Sequence, residues 1–420
     1  MDFAKSEVRD GMQIDWDAAI RMDDGVVLRA DVFRPLGDGQ YPVILSYGPY
    51  AKGLSFQEGY KSQWSRLIKS APEVLEGSSN KYQNWELVDP EKWVPDGYAC
   101  VRVDSRGSGR SAGMLDVWSA REAQDVYECV EWAGTQGWSN GKVGINGISY
   151  YAMNQWNAGA LRPPHLAALC IWEGSCDYYR ELCRPGGILS DFLNTWHPRQ
   201  VAGVQHGVGD RGAKSVVTGE LVAGPPTLPP DALAKNRTDT PGEAKTHKFR
   251  DDYCAARTAA FDKIEAPLLS AGNWGGMGLH TRAISRAGSP PAPNRNGSRC
   301  MATRTSPIST AATAKGCRRG SSAISLKTKT LAGTNSRACP STSGIRTRHS
   351  CCARKANGRW RARNGPNSSD GPSNCEAEAA TVFCYISSNG SPLALLITRQ
   401  SSQRRNVSTP PAGRDAFSNR

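Results

Sequence analysis

Between residues 144 and 156 the chain reads GINGISYYAMNQW, with Ser149 placed after Gly147 and the apolar run KVGI and before a segment able to turn helical. A serine at a strand-to-helix turn can serve in two ways. Its hydroxyl can cap the helix by accepting a free backbone N–H. Alternatively, a sharp turn can lift the hydroxyl above a sheet as a nucleophile, with the helix-start N–H groups ready to stabilise an oxyanion. The nucleophile pattern is G-x-S-x-G, and here Tyr151 stands where the second glycine belongs, followed by small Ala152. On pattern alone both uses stay open.

The surrounding elements must supply the strand and the helix. PVILSYGPY (42–50), GYACVRVD (97–104), KVGINGIS (142–149), HLAALCIW (165–172) and APLLSAGNW (266–274) are short apolar runs bounded by turn residues, as buried parallel strands are. Between them, Ala123, Val126, Tyr127, Val130 and Ala133 recur at spacings of three and four, so AREAQDVYECVEWAG lays one apolar face on a sheet. Alternating strands and helices predict an α/β fold with a doubly wound, mostly parallel sheet. The opening DWDAAIRMDDGVVLRADVFRP alternates polar and apolar residues around Asp24-Gly25, which predicts an antiparallel hairpin at the sheet edge. Residues 176–262, with clustered Pro, Gly and Asp, read as a helical cap inserted over the sheet. The core then comprises residues 1–175 and the last recognisable strand region, 263–282, and the chain continues as a tail over 283–420.

DGYACVRVDSRGSGRSAG, GKVGINGISYYAMNQWNAG and WEGSCDYYRELCRPGGI together resemble the cocaine esterase and X-prolyl dipeptidyl-peptidase branch of the α/β-hydrolases, over roughly residues 10–282. In that branch the elbow is typically G-x-S-Y followed by a small residue, so the missing second glycine is expected and Ser149 is implied as the nucleophile. The resemblance further implies that Tyr50, in YGPYAK, donates its phenolic O–H to the oxyanion beside the backbone N–H of Tyr150. No cofactor and no metal are expected, since the chain shows neither zinc-ligand spacing nor a phosphate-binding glycine loop. The packing alternative for Tyr50 is a rim aromatic on a strand end.

The acid and base are harder to place. The family sets its aspartate in the loop after the strand APLLSAGNW, where this chain has Gly275. Asp177, just past HLAALCIW, is the substitute at the neighbouring strand end, and its structural alternative is pairing with Arg180 or capping a turn. Asp104 and Arg106 read as buttresses of the loop beneath the elbow. Chain order in this fold runs nucleophile, acid, histidine, and only His280 and His349 follow residue 275. His280 comes too soon after the strand to belong to the next sheet-end loop and reads as a surface or loop histidine; His349 has no strand-loop pattern around it. The expectation is therefore a hydrolase impaired by the loss of its base.

Charge separates the tail from the rest. Across 420 residues of which 39% are apolar, residues 1–282 carry 30 Lys+Arg against 35 Asp+Glu, whereas residues 283–420 carry 22 against 4. From Ala283 onward apolar periodicity is lost, which has two readings: a genuine, disordered low-complexity extension, or, the one favoured, a shifted reading frame that begins between about Gly278 and Ala283. Reading AISRAG (283–288) from the third base of each codon permits Asn-Phe-Glu-Gly-Trp, and the same phase permits strand and helix patterns in two later segments. The histidine and the C-terminal β-sandwich that the resemblance implies would then be missing.

The function expected is a serine hydrolase of the acyl-ester or X-prolyl peptide class, acting on a small-molecule ester or peptide through an acyl-enzyme. The alternative is a catalytically dead hydrolase-like protein whose tail, of net charge +18, binds a polyanion. The tail has only Trp360, Phe383, Tyr385 and Phe417 as aromatics, too few for a single-strand stacking platform, so no specific nucleic-acid partner is expected. The 13 cysteines show no zinc spacing or disulfide framework. No apolar signal core or membrane-length stretch is present, so a cytoplasmic location is expected and no membrane partner.

Overall fold

A computed structural model describes residues 4–270, 279 and 280, together with the backbone of 271–273, 300–304, 381–386 and 392–398. Its strands are β1 (Lys5–Arg9), β2 (Met12–Arg21), β3 (Val27–Arg34), β4 (Tyr41–Gly48), β5 (Ala99–Asp104), β6 (Ser139–Ile148), β7 (Leu166–Trp172), β8 (Leu268–Asn273), β9 (Cys300–Arg304), β10 (Thr381–Ile386) and β11 (Pro392–Thr398). They form one sheet in the order β1-β2-β3-β5-β4-β6-β7-β8-β9-β10-β11. From β5 through β10 every pairing is parallel, while β1, β2 and β3 add antiparallel on one side and β11 on the other. The order β5-β4-β6 reverses the direction of winding, and at such a crevice beyond the strands' carboxyl ends α/β sheets build their sites. Each of the five expected parallel strands is present to within a few residues. The β2–β3 hairpin lies one strand in from the edge, because Lys5–Arg9 pairs outside it.

The helices are α1 (Phe56–Gly59), α2 (Lys61–Ser70), α3 (Pro90–Trp93), α4 (Ala120–Gly134), α5 (Tyr150–Ala160), α6 (Phe192–Trp196), α7 (Pro230–Lys235), α8 (Thr240–Thr246) and α9 (Asp252–Ala256). α4 has the span predicted from its period. Ser119 caps it by accepting from the Glu122 N–H, and Glu122 reaches back to the Trp118 N–H, a reciprocal pairing that satisfies donors at the helix start. Ala123, Val126, Val130 and Ala133 are buried as expected; Tyr127 is half-buried and Cys129 joins the core in its place.

These residues pack with Val43, Leu45 and Tyr47 of β4, Val143 and Ile145 of β6, and Ala152 and Trp156 of α5 as the main core. A second apolar cluster joins Tyr50, Tyr150 and Tyr151, which lie just past the carboxyl ends of β4 and β6, to Trp118, Tyr178, Leu182, Trp196 and Val201. The six described cysteines are buried and form no disulfide with one another.

Loops at the sheet's carboxyl end are tied by buried charge. Lys52 Nζ lies 2.5 Å from Asp17 and 2.7 Å from Asp31. Asp104 accepts from the backbone N–H groups of Lys52 at 2.6 Å and Arg110 at 2.8 Å. Arg106 clamps Asp125 with two 2.8 Å bonds and also reaches Asp24. Asp104 and Arg106 therefore hold loops, as expected. The shifted frame, His349 and the expected disorder of the tail, apart from the three strand backbones named above, fall outside the described residues.

Candidate active site

Ser149 joins β6 to α5 at φ 56° and ψ −113°, a conformation costly for any residue with a side chain, and its hydroxyl makes no capping bond. Of its two sequence-level uses, capping is therefore absent. Its N–H donates to the Trp172 carbonyl at 2.9 Å, tying the turn to the end of β7. The turn is tight because its neighbours are small. A Cβ on Gly147 would sit 2.1 Å from the Tyr151 Cβ, and one on Gly48 would sit 2.5 Å from the Tyr151 ring. Tyr151 thus lies over two glycines, so a large side chain fits where the common pattern has glycine. Ala152 faces Gly174, whose added Cβ would lie 3.1 Å from that of Ala152.

His280 is a loop histidine, as expected, but not a surface one. It is buried at 8% exposure, and its Nε2 lies 3.2 Å from Ser149 Oγ. On its other side Nδ1 lies 3.4 Å from Ser175 Oγ, which donates to the Leu279 carbonyl at 2.9 Å. Burial depresses the imidazole's basicity, to a pKa of about 4. The expected loss of the base therefore does not describe this arrangement: a histidine faces the serine.

Asp177 takes its structural alternative. One of its carboxylate oxygens accepts from the Arg180 N–H at 2.9 Å, capping the helical turn Tyr178–Cys183, and the other pairs with the Arg180 guanidinium at 2.7 Å. The carboxylate is held mainly by its own segment through i to i+3 geometry, with the Arg250 guanidinium 4.0 Å away.

Tyr50 and Tyr150 meet beside the elbow, with ring centroids 5.9 Å apart. Tyr50 is buried, and its phenolic oxygen accepts from the Trp196 indole N–H at 2.8 Å, which leaves the O–H proton to be donated elsewhere. Burial holds that phenol well above its ordinary pKa, so it stays a donor. Tyr150 opens α5, where the first backbone N–H groups lack helical partners. Its own hydroxyl donates to Glu122 at 2.6 Å, which fixes the ring away from solvent. Trp196 stacks on Trp118 at 5.0 Å and on Tyr150 at 6.0 Å, closing an aromatic wall. Two glutamates flank the elbow backbone: Glu86, whose carbonyl accepts from the Ile148 N–H, and Glu173, next after β7. Burial first, and the nearby Glu173 second, push the Glu86 carboxyl well above the usual range.

With its fold and elbow in place, the chain can be set beside known proteins. The X-Pro dipeptidyl-peptidase (S15) family matches residues 24–285, more than half of the chain. The chain belongs to that family. A crystal structure of a CocE/NonD family hydrolase from Staphylococcus aureus superposes with a TM-score of 0.59 at 31% identity, covering 75% of this chain and 51% of that one. The cocaine esterase of Rhodococcus sp. (strain MB1 Bresler) is 33% identical over 172 residues, 41% of this chain and 25% of that protein. The chain spans about half the length of the solved relative and a quarter of the curated one. The doubly wound sheet with its strand-turn-helix serine is that of an α/β-hydrolase, as family membership requires. Among the described residues, no group of His, Cys, Asp and Glu could hold a metal ion, and no helix is long and apolar enough to cross a membrane.

Sequence reasoning named Ser149, Tyr50 and Tyr150, which do come together, and Asp177, which stays apart. It weighed His280 and set it aside, and it did not name Ser175 or Trp196. For His280 the signal was chain order, since it is one of two histidines that follow residue 275.

Proposed function

We propose that this S15-family chain is a serine hydrolase acting on carboxylic esters or X-prolyl peptide amides through an acyl-enzyme. The observation that carries the reading is Ser149 Oγ, held on a strained turn with no capping bond and 3.2 Å from His280 Nε2. In the reaction Ser149 Oγ attacks the substrate carbonyl while its proton passes to Nε2. The oxyanion takes hydrogen bonds from the Tyr150 N–H and the Tyr50 O–H. Collapse expels the alcohol or amine, which receives the proton from His280. Water then repeats the sequence on the acyl-enzyme and frees Ser149.

Three features support the division of labour. The Trp196 N–H occupies the acceptor side of Tyr50 and so directs its proton outward. The raised phenol pKa keeps that proton in place across the physiological range. The strained turn means the hydroxyl is presented before substrate arrives, with no reorganisation during the reaction. Residues 176–262 supply Tyr178 and Trp196 to the aromatic wall, where we place the acyl or leaving group.

Labelling the full chain with a fluorophosphonate, and assaying p-nitrophenyl esters beside aminoacyl-proline anilides, tests this. Covalent labelling that disappears in Ser149→Ala is expected, and the better of the two substrates assigns the ester or the amide class. Labelling that survives Ser149→Ala, or none in a folded parent chain, would overturn the reading.

A further inference from the structure

The hydrogen bonds around His280 have a direction. Ser175 Oγ lies 2.9 Å from the Leu279 carbonyl, which can only accept, so the Ser175 hydroxyl must donate to it. That leaves only lone pairs on Oγ facing His280 Nδ1, 3.4 Å away. For this contact to be a hydrogen bond, Nδ1 must carry the ring proton. Nε2 is then unprotonated, and its lone pair faces Ser149 Oγ at 3.2 Å, the side on which a base must accept. A chain of donors runs one way: Ser149 O–H to Nε2, Nδ1–H to Ser175 Oγ, Ser175 O–H to the Leu279 carbonyl.

Ser175 is 2% exposed and His280 8%, so water does not compete easily for either contact. Among the described residues, no carboxylate takes this place. Asp177, two residues on, is turned to Arg180, and Glu181 accepts from the N–H groups of Cys176 and Asp177. We propose that Ser175 is the positioning residue of the base: its hydroxyl, oriented by the Leu279 carbonyl, holds His280 in the Nδ1–H tautomer with Nε2 aimed at Ser149.

This rests on the hydrolase reading of Ser149 and His280. The proton of Ser149 moves to Nε2 and later to the leaving group; the Nδ1 proton stays on the ring, and Ser175 never changes its protonation state. The device has a consequence that an acidic partner would not have. A hydroxyl orients the ring but offers no negative charge to the imidazolium, and burial already lowers that ring's pKa to about 4. The base is therefore unprotonated throughout the neutral range and comparatively weak.

The test uses the full chain with 15N-labelled histidine, its His280 resonances assigned by loss in His280→Gln, and the variants Ser175→Ala, Ser175→Thr, Ser175→Asp and Ser149→Ala, each checked for folding by circular dichroism. The parent should show a protonated Nδ1 and a bare Nε2, and Ser175→Ala a mixture of tautomers. On a p-nitrophenyl ester, Ser175→Ala should lose roughly 3- to 10-fold in kcat at unchanged KM, the effect of one neutral hydrogen bond. Ser175→Thr, which keeps the hydroxyl, should restore most of that loss. Ser175→Asp should move the acid limb of the pH–rate profile up by about one unit or more, because a carboxylate favours the protonated ring.

An Nε2–H tautomer in the parent overturns the proposal. So does a Ser175→Ala chain that matches the parent in tautomer and kcat while Ser149→Ala is inert, and in that case the hydrolase reading stands. Ser149→Ala as active as the parent overturns the hydrolase reading and removes the role of Ser175 with it. If no chain turns over substrate, the tautomer measurement decides alone.

Discussion

Replacing Ser149 with glycine should remove its nucleophile yet leave the protein more stable than replacing it with alanine, and the comparison that isolates the cause is Ser149→Gly against Ser149→Ala. Both variants lose the hydroxyl and its 3.2 Å contact with His280, so that loss cancels between them. They differ in the backbone. At φ 56° and ψ −113° alanine keeps its Cβ in a region costing about 1–3 kcal/mol, which glycine occupies freely. Against this, glycine gives the unfolded chain extra freedom worth roughly 0.5–1 kcal/mol. Glycine is also the better residue at a helix N-cap, which adds a few tenths of a kcal/mol or more in the same direction as the strain relief. The sum favours Ser149→Gly by about 1–2 kcal/mol. Equilibrium urea unfolding followed by tryptophan fluorescence, with a common slope for the two variants, measures it as a difference in midpoint. Neither variant should hydrolyse esters or take the fluorophosphonate. A glycine variant no more stable than the alanine one would show that the turn stores no strain, and would remove the argument that this backbone is held for the serine's presentation.

Two further outcomes stem from the packing and charge of the same region. Gly147→Ala would place a Cβ 2.1 Å from that of Tyr151 and about as close as 2.9 Å to its carbonyl oxygen, so the elbow must shift; unfolding should show a loss of about 1–3 kcal/mol with fluorophosphonate labelling reduced at least tenfold, and an unchanged chain would contradict the packing given for Tyr151. Glu122 carries the pH dependence: burial raises its carboxyl to about 8 from an ordinary 4.5. The folded chain therefore holds a proton that the unfolded chain releases between those values, so this group's contribution to stability falls as pH rises through that window, by at most about 1.4 kcal/mol per pH unit. Relative to the parent, Glu122→Gln should gain stability from pH 5 to pH 8 in thermal melts, and parallel curves for the two chains would sink the assignment.

Much of this protein was legible in its sequence because the relevant signals are local. The strands from Tyr41 to Gly48 and from Ser139 to Ile148 are apolar runs between turn residues, and a strand buried on both faces must be written that way. The period of three and four in Ala123, Val126, Val130 and Ala133 encodes which face of Ala120–Gly134 meets the sheet. Ser149 could be found from its immediate neighbours, since a sharp turn requires small residues next to it in sequence.

The partners of Ser149 were decided elsewhere. His280 is 131 residues away along the chain, and no periodicity links the two. They meet because β6, β7 and β8 lie side by side and parallel, so the loops leaving their carboxyl ends gather at one end of the sheet. Asp177 shows the converse: its local pairing with Arg180 was readable as an alternative, and only the packed structure decided between that and a distant imidazole. Ser175 carried no signal at all, since a serine near a strand end is common. Its meaning comes from the Leu279 carbonyl and the His280 ring arriving on either side of one hydroxyl. Hydrogen bonds are made by groups adjacent in space, and which distant groups become adjacent is settled by the burial of the whole sheet and its helices, a sum over the entire chain that no short stretch records.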